Sequence, residues 1–140
     1  MFTKILVGLD GSEAARHALA CALDLAAITG AGVHLVSVEE RLPAYAATVG
    51  EVQDEQRYEN QYYRELHIEA ERLAAQKEVS ISHEIVPGHA AQTLVQKAKQ
   101  GGFDLIVVGH TGHSRLHSLF LGSTADRVVE HATCTVLVVR

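Results

Sequence analysis

Short apolar runs at residues 5–9, 33–38, 79–86, 103–108 and 135–139 punctuate the chain, each of strand length. Between them the spacing turns helical. Ala15, Ala18, Leu19, Ala22, Leu25 and Ala26 recur at helical intervals behind Ser12, whose hydroxyl suits an N-cap. Residues 39–50 hold Pro43 and little periodicity, and read as a loop. Tyr62, Leu66, Ala70 and Leu73 then mark one face of a long helix, a third helix is predicted over residues 90–100, and a fourth follows Ser123. Strands alternating with helices in this way are what a parallel sheet covered by helices produces, so the predicted class is α/β. There is no internal repeat or low-complexity tract.

The runs differ in how they ask to be buried. Val79, Ile81 and Ile85 alternate with Ser80, Ser82 and Glu84, the pattern of a strand wetted on one face and suited to a sheet edge. The first, fourth and fifth runs are apolar on both faces. This places the first and fourth centrally and predicts that something covers the fifth.

Composition narrows the class of partner. With 140 residues and 47% hydrophobic content the chain suits one domain, residues 1–140, with its own core. A net charge of −5 argues against broad attraction to nucleic acid or to an anionic membrane, so any anion must be gripped locally. No leader-like segment precedes the first strand and no run approaches the ~18 apolar residues of a membrane span, so the expectation is a soluble, cytoplasmic protein. The two cysteines, Cys21 and Cys134, form no CxxC pair and read as buried small hydrophobes.

The chemistry concentrates between residues 109 and 124, where a glycine-rich stretch leads from the fourth strand into the last helix. Glycines let a ligand approach the backbone, and the N–H groups and positive dipole end of a helix favour phosphate. Arg115, with protonatable His113 beside it, adds positive charge. The spacing is neither a P-loop, since no lysine precedes Ser123, nor the dinucleotide GxGxxG, since Gly8-Leu-Asp-Gly11 offers GxxG only. Taken alone, the stretch reads equally as a turn at Gly109 and Gly112 followed by Ser123 capping the last helix, because Ser123-Thr-Ala-Asp126 matches a capping box.

Gly109-x2-Gly112-x9-Gly122-Ser123 resembles the G-x2-G-x9-G-S/T motif of the ATP-binding branch of the universal stress protein family, and the similarity runs through Lys4-Ile-Leu-Val-Gly-Leu-Asp-Gly-Ser12, Val86-Pro-Gly88, Asp104-Leu-Ile-Val-Val-Gly109 and Cys134-Thr-Val-Leu-Val-Val139. The resemblance implies a Rossmann-like, three-layer fold: an open parallel five-stranded sheet in the order 3-2-1-4-5 with helices on both faces. Its topological switch point then falls between the first and fourth strands, whose carboxyl ends are Asp10 and Gly109. It also implies contacts. Gly8 and Asp10 would flank adenine and ribose, and the backbone of Val38 would read the adenine edge. Gly109, Gly112, His113, Ser114 and Arg115 would wrap ribose and phosphates, and Gly122, Ser123 and Thr124 would meet the phosphates. ATP would bring Mg2+ or Mn2+ on its phosphates, with Asp10 the candidate protein ligand. A homodimer joined along Thr135 to Val139 would cover the apolar last strand. On their own, Val38 could equally be core and Asp10 could close an Asx turn before Ser12.

Nine histidines raise a metal hypothesis, and His110, His113 and His117 fall at i, i+3 and i+7. Gly112 interrupts the helix that would make them converge, so they read as solvated loop residues; His17, His34, His67, His83, His89 and His131 are scattered and read as mostly surface residues. Fast phosphoryl transfer wants metal ligands, a placed nucleophile and a charge clamp, and no general base is evident beyond Asp10 and the histidines. The favoured reading is a nucleotide-dependent binding or regulatory module in the stress response. Its rivals are a slow ATPase or autophosphorylating protein, with Asp10 holding the ion and Ser123 or Thr124 accepting phosphate, and a binder of AMP or a cyclic nucleotide.

Overall fold

The computed structural model describes residues 1–40, 49–112 and 121–140. In chain order the elements are β1 (Lys4–Gly8), α1 (Glu13–Thr29), β2 (Gly32–Glu39), α2 (Val49–Gln76), β3 (Ile81–Pro87), α3 (Ala90–Gly101), β4 (Leu105–Gly109), α4 (Ser123–His131) and β5 (Thr135–Val139). All strand pairs are parallel and the sheet order is β3-β2-β1-β4-β5. The fold and strand order are those expected, with strand limits displaced by a residue or two, as fraying ends usually are.

The alternation of each strand divides the core in two. Ile5, Val7, Val33, Leu35, Leu105 and Val107 turn to one face, where α1 and α2 cover them. Leu6, Val36, Ile106 and Val108 turn to the other, under α3 and α4. β1 and β4 are buried on both faces because helices cover both, whereas β3 is half-exposed along its edge. At the start of α1 the Ser12 hydroxyl accepts the Ala15 N–H at 3.2 Å, and Asp10 Oδ1 accepts the Ser12 N–H at 2.9 Å, so the predicted cap and Asx turn are both present.

Several expectations need correction. α2 begins at Val49 and runs for 28 residues, so the loop reading of residues 39–50 was too long at both ends: Glu39 closes β2 and residues 49–50 are helical. Residues 50, 51 and 53–58 of α2 are exposed and polar but for Gly50 and Tyr58, which leaves periodicity nothing to register. On its buried face stands Tyr63, 6% exposed, and not Tyr62, because Tyr63, Leu66, His67, Ala70 and Ala74 form the stripe that meets the sheet. His67 is therefore a core residue and not a surface one. Cys21, in α1, and Cys134, just before β5, are free but only half-buried, and Cys134 packs at the margin of the core under α3 and α4. Finally, the residue at the cap of α4 is Gly122; Ser123 lies inside the first turn and makes no cap, which removes the capping-box reading. No helix among the described residues is long and apolar enough to cross a membrane.

Candidate functional site

β1 leads through α1 to β2 on one side, and β4 leads through α4 to β5 on the other, so the carboxyl ends of β1 and β4 splay apart at the switch point. A cleft of about 370 Å³ opens there. Gly8, Asp10, Val38, Gly109, Gly112, Gly122, Ser123 and Thr124 all line it. His113, Ser114 and Arg115 lie outside the described residues, as does His117.

Each wall has a local cause. Pairing between β1 and β2 ends where the Leu9 N–H meets the Val36 carbonyl at 3.0 Å, because the chain turns away at Asp10 to enter α1. Backbone groups alternate sides along a strand, so Val38, two residues beyond Val36, turns its N–H and C=O towards β1's side, where the ladder has already stopped. Its side chain, meanwhile, is in the core under α3. Both readings of Val38 hold at once, the core one for its side chain and the open edge for its backbone.

Gly109 lines the cleft, yet its lack of a side chain is required behind it: a Cβ there would come within 2.6 Å of the Ala14 carbonyl carbon and 2.8 Å of the Ala15 nitrogen. The first turn of α1 thus packs directly on the end of β4. Gly122 is also a close approach, since a Cβ would stand 3.1 Å from the Thr111 Cα and 3.2 Å from the His110 carbonyl oxygen. The Gly122 N–H donates to that oxygen at 2.6 Å, and the His110 N–H donates to the Val139 carbonyl at 2.8 Å. The chain leaving at Gly112 and the chain entering α4 are thereby fastened side by side, to each other and to β5.

This brings the amino end of α4 to the cleft. The cap residue, Gly122, offers no side chain to close the helix end. The first-turn N–H groups of Ser123, Thr124 and Ala125, which a helix cannot satisfy internally, belong to residues lining the cleft.

A wall contributed by α2 brings Glu59 and Tyr63 to the cleft, and Glu40 lines it as well; the Asp10 carboxylate stands beside Gly112, where a Cβ would lie 3.1 Å from its Oδ2. Burial, then the neighbouring charges of Glu39, Glu55 and Glu40, raises the Glu59 carboxyl above the usual range, while a Tyr63 hydrogen bond works against the shift. Tyr63 is held protonated, first by burial and then by the charges of Glu59 and Asp10. The cleft therefore combines hydrogen-bond donors at the end of α4 with the carboxylates of Asp10, Glu40 and Glu59. Leu66 and Ala70 mark the buried face as the spacing predicts, but the pattern picks Tyr62 in place of Tyr63, so the sequence alone does not bring Tyr63 or Glu59 to the cleft.

As to metal, among the described residues no group of three His, Cys, Asp or Glu side chains stands close enough to share an ion. Asp10 Oδ1 is already engaged by the Ser12 N–H. One carboxylate suits an ion that arrives on phosphates and keeps its waters, as magnesium does, better than a cage made by the protein.

Comparison with known proteins agrees with this geometry. The model of the universal stress protein family matches residues 1–140. A universal stress protein of Thermus aquaticus is 35% identical over 140 residues, covering 100% of both chains. The solved structure of a universal stress protein from Lactobacillus plantarum superposes with a TM-score of 0.91 at 29% identity, covering 99% of this chain and 98% of that one. Another, a universal stress protein solved in complex with cAMP, has a TM-score of 0.77 at 25% identity over 99% and 97% of the two chains.

Proposed function

This chain belongs to the universal stress protein family, and from that premise we propose that it binds ATP in the switch-point cleft and acts as a nucleotide-dependent binding module. The observation that carries the proposal is the amino end of α4, with glycine at its cap, lining the switch-point cleft. A polyanion is attracted to that helix end, which sets its direction. Phosphates lie along Gly112, Gly122, Ser123 and Thr124, joined by His113, Ser114 and Arg115. The sugar and base lie towards Gly8, Asp10 and the backbone of Val38, where carboxylates accept from hydroxyl and amino groups and an open strand edge offers both a donor and an acceptor. Gly109 contributes by letting α1 sit close enough to form the floor. Mg2+ or Mn2+ would travel with the phosphates, Asp10 being the carboxylate at hand, and would supply neutralisation of the phosphate charge.

Binding of this kind does not lower a barrier by itself, because catalysis needs contacts that strengthen in the transition state. The sequence offers no evident general base beyond Asp10 and the histidines, and the module reading is preferred to turnover on that ground. The relative solved with cAMP favours a second reading, in which an adenine mononucleotide fills the same cleft.

Two measurements decide between them. The purified protein is denatured and its supernatant run on an ion-exchange column, which identifies the nucleotide carried; ATP is expected, and AMP or cAMP would transfer the proposal to the second reading. Incubation with γ-labelled ATP and magnesium should leave the nucleotide largely intact over an hour. Multiple turnovers abolished by Asp10→Ala, or label fixed on Ser123 or Thr124, would replace the module with an enzyme.

A further inference from the structure

His67 lies in the buried stripe of α2 at 1% exposure, and its two ring nitrogens have opposite surroundings. Nε2 is 2.7 Å from the Ser37 hydroxyl, while Nδ1 is buried with no hydrogen-bond partner among the described residues. Ser37, also 1% exposed, donates its single hydroxyl proton to the Leu9 carbonyl. Towards His67 it can therefore only accept. The ring proton belongs on Nε2, and Nδ1 is a bare lone pair. A second N–H at Nδ1 would be a buried donor with no acceptor, so the ring is held neutral and in one tautomer.

The groups around the ring say the same. From β2 comes Ser37, and from β3 comes His83, whose ring stands edge-on at 4.9 Å between centroids and is bonded to Glu71 of α2. Burial and then His83 push the His67 imidazolium down, to about 4, against the opposing pull of Glu71, with His34 adding to the downward shift.

The bonds form a line from helix to cleft: His67 on α2, Ser37 on β2, and the carbonyl of Leu9, a residue that lines the cleft between Gly8 and Asp10. Along α2, Tyr63 and Glu59 lie one and two turns before His67 on the same face. We propose that His67 is a positioning residue for this cleft, its Nε2 donor acting through Ser37 to fix both the Leu9 carbonyl and the α2 wall that carries Tyr63 and Glu59. The inference rests on the nucleotide reading of the cleft, but the hydrogen-bonded line can be examined without ligand.

The test compares His67→Leu, Ser37→Ala and His67→Gln with a helix control, Leu66→Ala, in folded protein at neutral pH. Glutamine places an amide donor the same number of bonds from the backbone as Nε2. Calorimetric titration with ATP should show about tenfold weaker binding for His67→Leu and Ser37→Ala, no further loss when the two are combined, and parent-like binding for His67→Gln. Leu66→Ala should lower the melting temperature with little change in affinity. If His67→Gln binds as weakly as His67→Leu, or if all variants bind alike, the positioning role is overturned. If the parent itself binds no adenine nucleotide, the nucleotide reading fails and the line is judged from amide chemical shifts of the ligand-free proteins. Leu9, Asp10 and Tyr63 should move in His67→Leu and Ser37→Ala and return in His67→Gln; unmoved shifts overturn it.

Discussion

A histidine held neutral in the core links the stability of the fold to pH. The unfolded chain takes up a proton at the ordinary imidazole value of about 6.5, whereas His67 in the folded state does so only near about 4. Between these values the unfolded state binds more protons, so stability falls as pH falls through the window and the loss is complete below about 4. The full difference is about 3 kcal/mol. Urea unfolding at pH 7 and at pH 4.5 should show a smaller acid loss in His67→Gln than in the parent, the carboxylate contribution being common to both; equal losses would mean that His67 titrates normally. The glycines make a second prediction at this scale. A Cβ at Gly112 would stand 3.1 Å from Asp10 Oδ2, and one at Gly122 would press on the backbone of Thr111 and His110. Gly112→Val and Gly122→Val should lose ATP affinity by at least tenfold, about 1.4 kcal/mol, while keeping a folded circular-dichroism spectrum. Retained affinity in both would return the loop to a structural turn. These glycines were legible in the sequence because a backbone approach restricts residue type at fixed spacing. His67 was not, because a lone histidine at a stripe position has no signature until Ser37 and Leu9 are seen beside it.

At the scale of the element, the proposed nucleotide site would discriminate ligands at the end of α4. Each phosphate that reaches its N–H groups adds charge-assisted hydrogen bonds worth about 1.5–3 kcal/mol, so affinity should rise from AMP through ADP to ATP. Calorimetry on the three nucleotides measures this directly, and AMP binding as tightly as ATP would put the phosphates elsewhere. The α2 wall gives the converse control: Glu59→Gln should change the ATP-to-AMP ratio little if the phosphates point away from it. The strands and three of the helices could be read from the sequence because they bury a periodic stripe, as α1 does with Ala15, Ala18, Leu19 and Ala22. Half of what shapes the cleft could not. Residues 53–58 of α2 are exposed and show no apolar period, and Tyr62 and Tyr63, adjacent and alike, leave packing on the sheet to decide which of them joins Leu66 and Ala70. The cap of α4 was displaced by one residue for a related reason. Ser123 satisfies the local capping pattern, but the bond from Gly122 to the His110 carbonyl starts the helix where the strand end holds it.

For the whole molecule the unresolved demand is β5. It pairs with β4 on one side only, and Leu137 and Val139 pack towards α1 while Val136 and Val138 pack towards α3 and α4. Its side chains are thus committed to the core of their own chain, and what remains to be covered is the outer row of backbone groups. The His110 bond to the Val139 carbonyl fixes which residues those are: Thr135, Leu137 and Val139 turn their backbone to β4, and Val136 and Val138 turn theirs outward. An apolar edge of this kind is a template for pairing, and antiparallel joining of two copies about a two-fold axis closes it without leaving a free end. We therefore propose a homodimer through β5, which would also couple two clefts, because the same strand anchors His110 and hence Gly122. Substituting Leu137 would confound the test by damaging the core. Val138→Pro is cleaner, since it deletes an outward N–H while leaving the ladder to β4 intact, and proline is tolerated on an edge whose N–H faces away from the sheet. Sedimentation at micromolar concentration should give a dimer for the parent and a monomer for Val138→Pro, with matching circular dichroism. A parent that sediments as a monomer removes the dimer, and a variant that remains dimeric moves the interface to another face of the molecule.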